Sequence, residues 1–150
     1  MSDQEKRIAL RDRVRKGNRL LVGAAKGAGV KRFALFNDAG YRGLYGMGLL
    51  EIKQLKEIPQ DEDLLDCAGR TELAANEFRI TQTHQKIERE RIQGEGAAIS
   101  AHRTVGGHVR DAIKRIGGTM PEDLPKEEPI KKLIAAQKRM KKKGPTLPSL

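Results

Sequence analysis

Arg7, Arg11, Arg15 and Arg19 recur every four residues, and on a helix that spacing lines four guanidinium groups along one drifting stripe. Such a stripe can follow a phosphate backbone, and it equally suits a solvated helix face. Glu72, Asn76, Arg79 and Thr83 are spaced by four, three and four. On a helix they form either a surface that recognises a peptide or a phosphate, or an ordinary solvated face. Arg103, Arg110 and Lys114 make another basic face, and Lys141, Lys142 and Lys143 close the charged part of the chain. Phe33, Phe36, Tyr41 and Tyr45 stand beside Lys31, Arg32 and Arg42, an interleaving able to stack bases of a single strand. The two phenylalanines suit a core better, which leaves Tyr41 and Tyr45 as the candidates for contact with a partner.

Covalent or metal chemistry has little to work with. His84, His102 and His108 are the only histidines, and none stands in an H-E-x-x-H arrangement. His102 and His108 fall about 120° apart on a helical wheel, so they do not make a zinc face. His102 instead reads as a hydrogen-bonded histidine at a helix interface. Cys67 is alone, which excludes an intramolecular disulfide and fits a reducing compartment. The stretches GAAKGAG and GYRGLYGMG match neither a P-loop nor a dinucleotide fingerprint, so their glycines serve tight turns or close helix approach. No catalytic residue, metal or cofactor is expected. A metal-dependent nuclease would lack its acid or histidine cluster.

The elements that position these residues read as helices. Ser2 and Glu5 match a capping box, after which Leu10, Val14, Leu21 and Ala24 mark a long helix ending near Gly29. Glycines 40, 43, 46 and 48 suggest short helices joined by turns. Gly69 reads as a C-cap and Thr71 as an N-cap, opening a helix over 72–92 with an apolar arc of Leu73, Ala74, Phe78, Ile80, Thr81 and Ile87. Glu77 and His84 intrude on that arc. The next helix spans 97–116 and stops at Gly117 and Gly118 in a left-handed cap. A proline segment then forms a linker or fixed turn, and a last helix begins near Pro129 with Ile130, Leu133, Ile134 and Met140 on its apolar side.

The expectation is an all-α compact bundle of five or six helices. It divides into a basic linking helix (1–30), a helical core (31–118), a proline turn with a basic helix (119–143) and a disordered tail (144–150). One domain is what 150 residues support. The longest apolar run, Leu20 to Ala25, is far below the ~18 residues of a membrane span, and the first ten residues lack a signal-peptide core, so a cytoplasmic location without membrane contact is expected. The net charge of +10 is polarised, with +7 over residues 1–32, −3 over 33–125 and +6 over 126–143. Basic arms around a near-neutral body attract polyanions, single- or double-stranded DNA among them, with salt-sensitive affinity.

Three stretches, GYRGLYG (40–46), LLDCAGRTELAANEFRITQT (64–83) and VGGHVRDAIKRIGGTMPEDLP (105–125), resemble the C-terminal half of the bacterial DNA damage-inducible protein D (DinD) family. The resemblance extends over the first 130 or so residues. It departs from the family's pattern at Met47, Glu77 and His84. Members look like two-part proteins, with an N-terminal domain similar to Bro and phage antirepressor DNA-binding domains, and this chain starts at the second part. The resemblance implies a role in the SOS response, acting on the recombinase RecA or its DNA filament and restraining strand exchange. The expected function is thus a non-catalytic regulator, monomeric or a homodimer. The alternative is a DNA-binding accessory module related to phage antirepressor proteins. Candidate nucleic-acid contacts are the arginines at 7, 11, 15, 19, 103 and 110 and the lysines at 114 and 141–143. Candidate partner-surface residues are Tyr41, Tyr45, Glu72, Asn76 and Arg79.

Overall fold

The computed structural model describes residues 1–143. Its helices are α1 (Asp3–Gly27), α2 (Phe33–Tyr45), α3 (Leu49–Leu55), α4 (Arg70–Arg89), α5 (Glu95–Ile116) and α6 (Ile130–Lys143). A 3-10 turn at Leu65–Cys67 precedes α4, a second at Pro121–Asp123 precedes α6, and there is no strand among the described residues. This is the expected all-α architecture. The stretch 144–150, expected to be a disordered tail, lies outside the described residues.

Local chemistry accounts for most of the boundaries. The Ser2 hydroxyl accepts the Glu5 N–H at 3.1 Å and opens α1. Gly117, at φ 80°, closes α5 in the left-handed conformation expected of it. The junction before α4 differs from expectation. Gly69 is the N-cap of α4 and not the C-cap of a preceding helix, because residues 65–67 form only a 3-10 turn. Thr71 is then already inside α4.

Two of the short helices expected between Val30 and Ile58 form, α2 and α3, joined across Gly46 to Gly48, but Gly40 and Gly43 make no turn. Helix α2 runs unbroken through Gly40 and Gly43, and only Gly46, at φ 75°, ends it. Gly40 and Gly43 face α5, where backbone meets backbone. A Cβ on Gly106 of α5 would lie 2.7 Å from the Gly40 carbonyl oxygen and 2.9 Å from the Leu44 nitrogen. One on Gly43 would strike the Arg103 carbonyl. Gly43→Ala is therefore expected to destabilise by about 1–3 kcal/mol, since neither backbone has a rotamer with which to yield. Gly23→Ala, on a face of α1 with nothing within 4 Å, is expected to stabilise by about 0.5–1 kcal/mol through helix propensity. Urea midpoints of the two variants against the parent check both signs.

Helix α1 packs along α4, and Val14, Leu21 and Ala25 share one buried cluster with Leu73, Ile80 and Ile87. Helix α5 lies against both α2 and α4. The junctions are tied by polar contacts. The Glu95 carboxylate accepts the backbone N–H groups of Lys31 and Arg32 at 2.9 and 2.8 Å, with the Arg32 side chain adding a third bond. Those bonds hold the Glu95 carboxyl at about 2, well below the usual carboxylate range. The proline segment is a fixed turn, held by Arg110 to Glu122 at 2.7 and 2.8 Å and by Lys56 to the carbonyls of Pro121 and Leu124. Of the apolar side expected for α6, Ile130 is fully buried, whereas Met140 is exposed.

Candidate functional site: a buried polar chain beneath an arginine-lined cleft

The polar stripe of α4 faces inward. Glu72, Asn76, Arg79 and Thr83 are all buried, whereas Phe78, expected in the apolar arc, is 53% exposed and Ala74 and Thr81 are exposed too. The inner face of α4 instead joins the polar stripe to Leu73, Ile80 and Ile87. Each polar group on it has a partner from another helix or from its own.

At one end, the Lys56 ammonium donates to Glu72 Oε1 at 2.9 Å, both side chains being almost wholly enclosed. The Tyr45 hydroxyl donates to the other carboxylate oxygen, Oε2, at 2.5 Å. Asn76 Nδ2 donates to the Tyr45 oxygen and to the Glu72 carbonyl, both at 2.9 Å. Asn76 Oδ1 accepts from Arg79 at 2.8 Å. Arg79 also donates to His102 Nε2 at 2.6 Å, and the Thr83 hydroxyl donates to the Arg79 carbonyl at 2.7 Å.

The chain fixes the histidine's proton. A guanidinium only donates, so His102 Nε2 accepts and the ring proton sits on Nδ1, which donates to the Phe36 carbonyl at 2.8 Å. His102 is neutral: burial first, and then the Arg79 charge, bring it down to about 3. Burial likewise raises Glu72 against the opposing bonds from Tyr45 and Lys56, and pushes Tyr45 well above the usual phenol value. The expectation for His102, a hydrogen-bonded residue at a helix interface, matches this geometry.

Above Arg79 a cleft of about 710 Å³ opens between α1, α2, α3 and the loop before the first 3-10 turn. Arg11, Arg15, Arg19, Lys53 and Arg79 line it, with Tyr41 on one wall. The Arg79 guanidinium carbon lies 4.9 Å from the centre of the Tyr41 ring, within cation–π range.

A family description matching residues 1–133 is that of the DinD C-terminal domain. The chain belongs to that family. It is 42% identical over 148 residues to the DNA damage-inducible protein D of Escherichia coli (strain K12). The match covers 95% of this chain and 54% of that protein, so the chain spans about half the length of this relative. Two of the three stretches that carried the resemblance to DinD supply most of the buried polar chain, with Lys56 and His102 lying outside them. Tyr45 comes from GYRGLYG, and Glu72, Asn76, Arg79 and Thr83 come from the 64–83 segment.

Among the expected partner-surface residues, then, Tyr45, Glu72, Asn76 and Arg79 are interior, and Tyr41 is half-buried at the cleft. The arginine stripe of α1 divides as well. Arg7 is buried and donates to the carbonyls of Ala68 and Asp66, both at 2.8 Å, while Arg11 is buried against Asp66 at 2.8 Å. Those two stitch α1 to the first 3-10 turn and present no charge to a nucleic acid. Arg15 reaches Asp66 at 3.1 Å and stays half-exposed, and Arg19 is exposed. On α5, Arg103 and Lys114 are exposed, but Arg110 is held by Glu122. Lys141 and Lys142 are exposed on α6, which also carries Lys143. Of the two intruders, Glu77 pairs with Arg13 at 3.1 Å and His84 with Glu88 at 3.0 Å, neither joining the buried chain.

Lys53 and Lys56 were absent from the expected site residues. Lys53 lies within the short α3 and Lys56 directly follows it, and neither position carries a pattern of its own. The signal for the α4 stripe was present but ambiguous: Glu72 and Arg79 each immediately precede Leu73 and Ile80, residues of the buried seven-residue repeat.

Proposed function

We propose that this chain acts in the bacterial DNA damage response as a non-catalytic regulator that modulates RecA nucleoprotein filaments or strand exchange. Membership of the DinD C-terminal family carries this reading, together with a relative whose name records damage induction. The chemistry of the surface supports it. Among the described residues no three His, Cys, Asp or Glu side chains gather to hold a metal. The buried polar chain spends its reactive groups on one another. No described helix is long and apolar enough to cross a membrane. The cations left on the surface, including Arg19, Arg103, Lys114, Lys141 and Lys142, suit contact with a polyanionic assembly.

The test is RecA-driven strand exchange with the purified chain in increasing amounts. Exchange is expected to slow, with the effect weakening as salt rises. Undiminished exchange and filament stability at large excess would sink the proposal for this polypeptide. Tight, salt-steep binding to DNA in the absence of RecA, with exchange untouched, would favour the DNA-binding accessory module instead.

A further inference from the structure

We propose that the cleft above Arg79 binds a phosphate-bearing ligand of nucleotide size. The Arg79 charge has no carboxylate counterpart within 4.0 Å among the described residues. Arg79 is 2% exposed, and its two donor contacts among the described residues go to Asn76 and His102, both neutral. Its third neighbour is the Tyr41 ring. The nearby carboxylate, Glu72, is already taken by Lys56 and Tyr45. The Arg79 Nε–H is buried without an acceptor among the described residues, a rare state for a donor that cannot be discharged by losing its proton.

The same deficit extends along the cleft. Of its five cations, Arg11 and Arg15 share Asp66, and Arg11 also reaches Asp63 at 3.3 Å. Arg19, Lys53 and Arg79 have no carboxylate within 4.0 Å among the described residues. Asp12, the other acid of the lining, is paired with Lys16 at 2.9 Å. An anion entering here meets three cations that no described carboxylate neutralises.

The shape favours a nucleotide over a bare anion or an acidic peptide. A volume of about 710 Å³ lies in the ordinary range of small-molecule sites and far exceeds one phosphate. The lining is also mixed. Tyr41, Leu49 and Leu64 offer an apolar wall for a base or sugar, and the Asn18 and Asn37 amides offer donors and acceptors together. A run of carboxylates would use the cations and waste both of those features. Guanidinium groups match phosphate oxygens in pairs of N–H bonds. The phosphate comes either from a free nucleotide or from one residue of a single strand. This inference stands on the cleft alone and does not depend on the proposed action on RecA.

The experiment is calorimetric titration of the intact chain at low salt with pyrophosphate, thymidine 5′-diphosphate, a four-residue oligothymidylate and hexaglutamate. A ¹H–¹⁵N spectrum follows the Arg79 Nε–H signal alongside. Saturable binding of the diphosphate or the oligonucleotide is expected, with a shift of that signal. The Arg19→Ala/Lys53→Ala double variant, which touches neither the buried chain nor the core, is expected to keep the parent melting temperature and to bind about tenfold or more weakly. Arg79→Met should abolish binding, and the double variant decides the matter where Arg79→Met does not fold. Saturation by the free diphosphate identifies a small-molecule ligand. Saturation by the oligonucleotide alone, weakened in the double variant, identifies a single strand. The proposal is overturned by no saturable binding of any phosphate probe, by binding that the double variant leaves unchanged, or by hexaglutamate binding more tightly than every phosphate. Phosphate binding with unaffected strand exchange would remove the regulatory reading and leave this one standing.

Discussion

Replacing Glu72 by Ala is expected to lower folding stability by about 3–5 kcal/mol, the cost of leaving a buried charge without its partner. Lys56 is nearly inaccessible, and Glu72 is the one carboxylate it meets within 4.0 Å among the described residues. Without it, the ammonium retains only the carbonyls of Pro121 and Leu124, and the Tyr45 hydroxyl loses its acceptor. The damage should spread to the C-terminal turn that Lys56 fastens, and faster amide exchange around Pro121–Leu124 is the local sign of it. Lys56→Ala removes the other half of the pair. Because each single change orphans a charge and the double change orphans none, Lys56→Ala/Glu72→Ala should cost clearly less than the sum of the two. Urea unfolding of the four proteins measures this. Additive losses, or a loss under about 1 kcal/mol for Glu72→Ala, would show that the pair is not the internal anchor described above.

Acidification is expected to destabilise the fold through His102 before most carboxylates titrate. The folded protein keeps this ring neutral down to about 3, whereas an unfolded chain protonates it near 6.5. Between those values the unfolded state takes up a proton that the folded state refuses. The stability attached to His102 is therefore complete above about 6.5 and is lost as pH falls towards 3, amounting to a loss on the order of 3–5 kcal/mol across the window. Glu95, held low by its bonds to Lys31 and Arg32, loses its contribution in the same direction further down, as pH approaches about 2. Glu72, raised by burial, works the opposite way and partly offsets the loss as it gains a proton. The histidine share is isolated by His102→Gln, whose amide can accept from Arg79 and donate to the Phe36 carbonyl without titrating. Denaturation midpoints at pH 7 and pH 5 should differ markedly less in that variant than in the parent. Equal differences in the two proteins would refute the assignment.

The structure also shows where local pattern was enough. Helix termini were legible where a short-range bond or a required dihedral decides them, as at Ser2 with Glu5 and at Gly117. The apolar seam of α5 can be read from helical spacing in part: Ala98, Gly106 and Val109 are buried, whereas Ile116, the last residue of the helix, is 81% exposed. The α2 glycines misled because a glycine that permits a turn and a glycine that permits close approach look alike in one dimension. Only the backbone of α5 lying against Gly40 and Gly43 shows which is at work.

The sequence by itself determined the all-α class, the polarised charge, the absence of a recognisable catalytic motif and the resemblance to the DinD family, since these rest on composition, periodicity and short motifs. Tertiary structure alone decided which face of α4 is inside. Hydrophobic periodicity assumes that buried means apolar, and α4 satisfies burial differently, by giving Glu72, Asn76 and Arg79 partners from α2, from α5 or from Lys56. Those partners lie 16 to 31 residues away in the chain. The same long-range pairing turned Arg7 and Arg11 from presumed phosphate contacts into structural bonds, and left Arg19, Lys53 and Arg79 as the cleft cations that no described carboxylate neutralises.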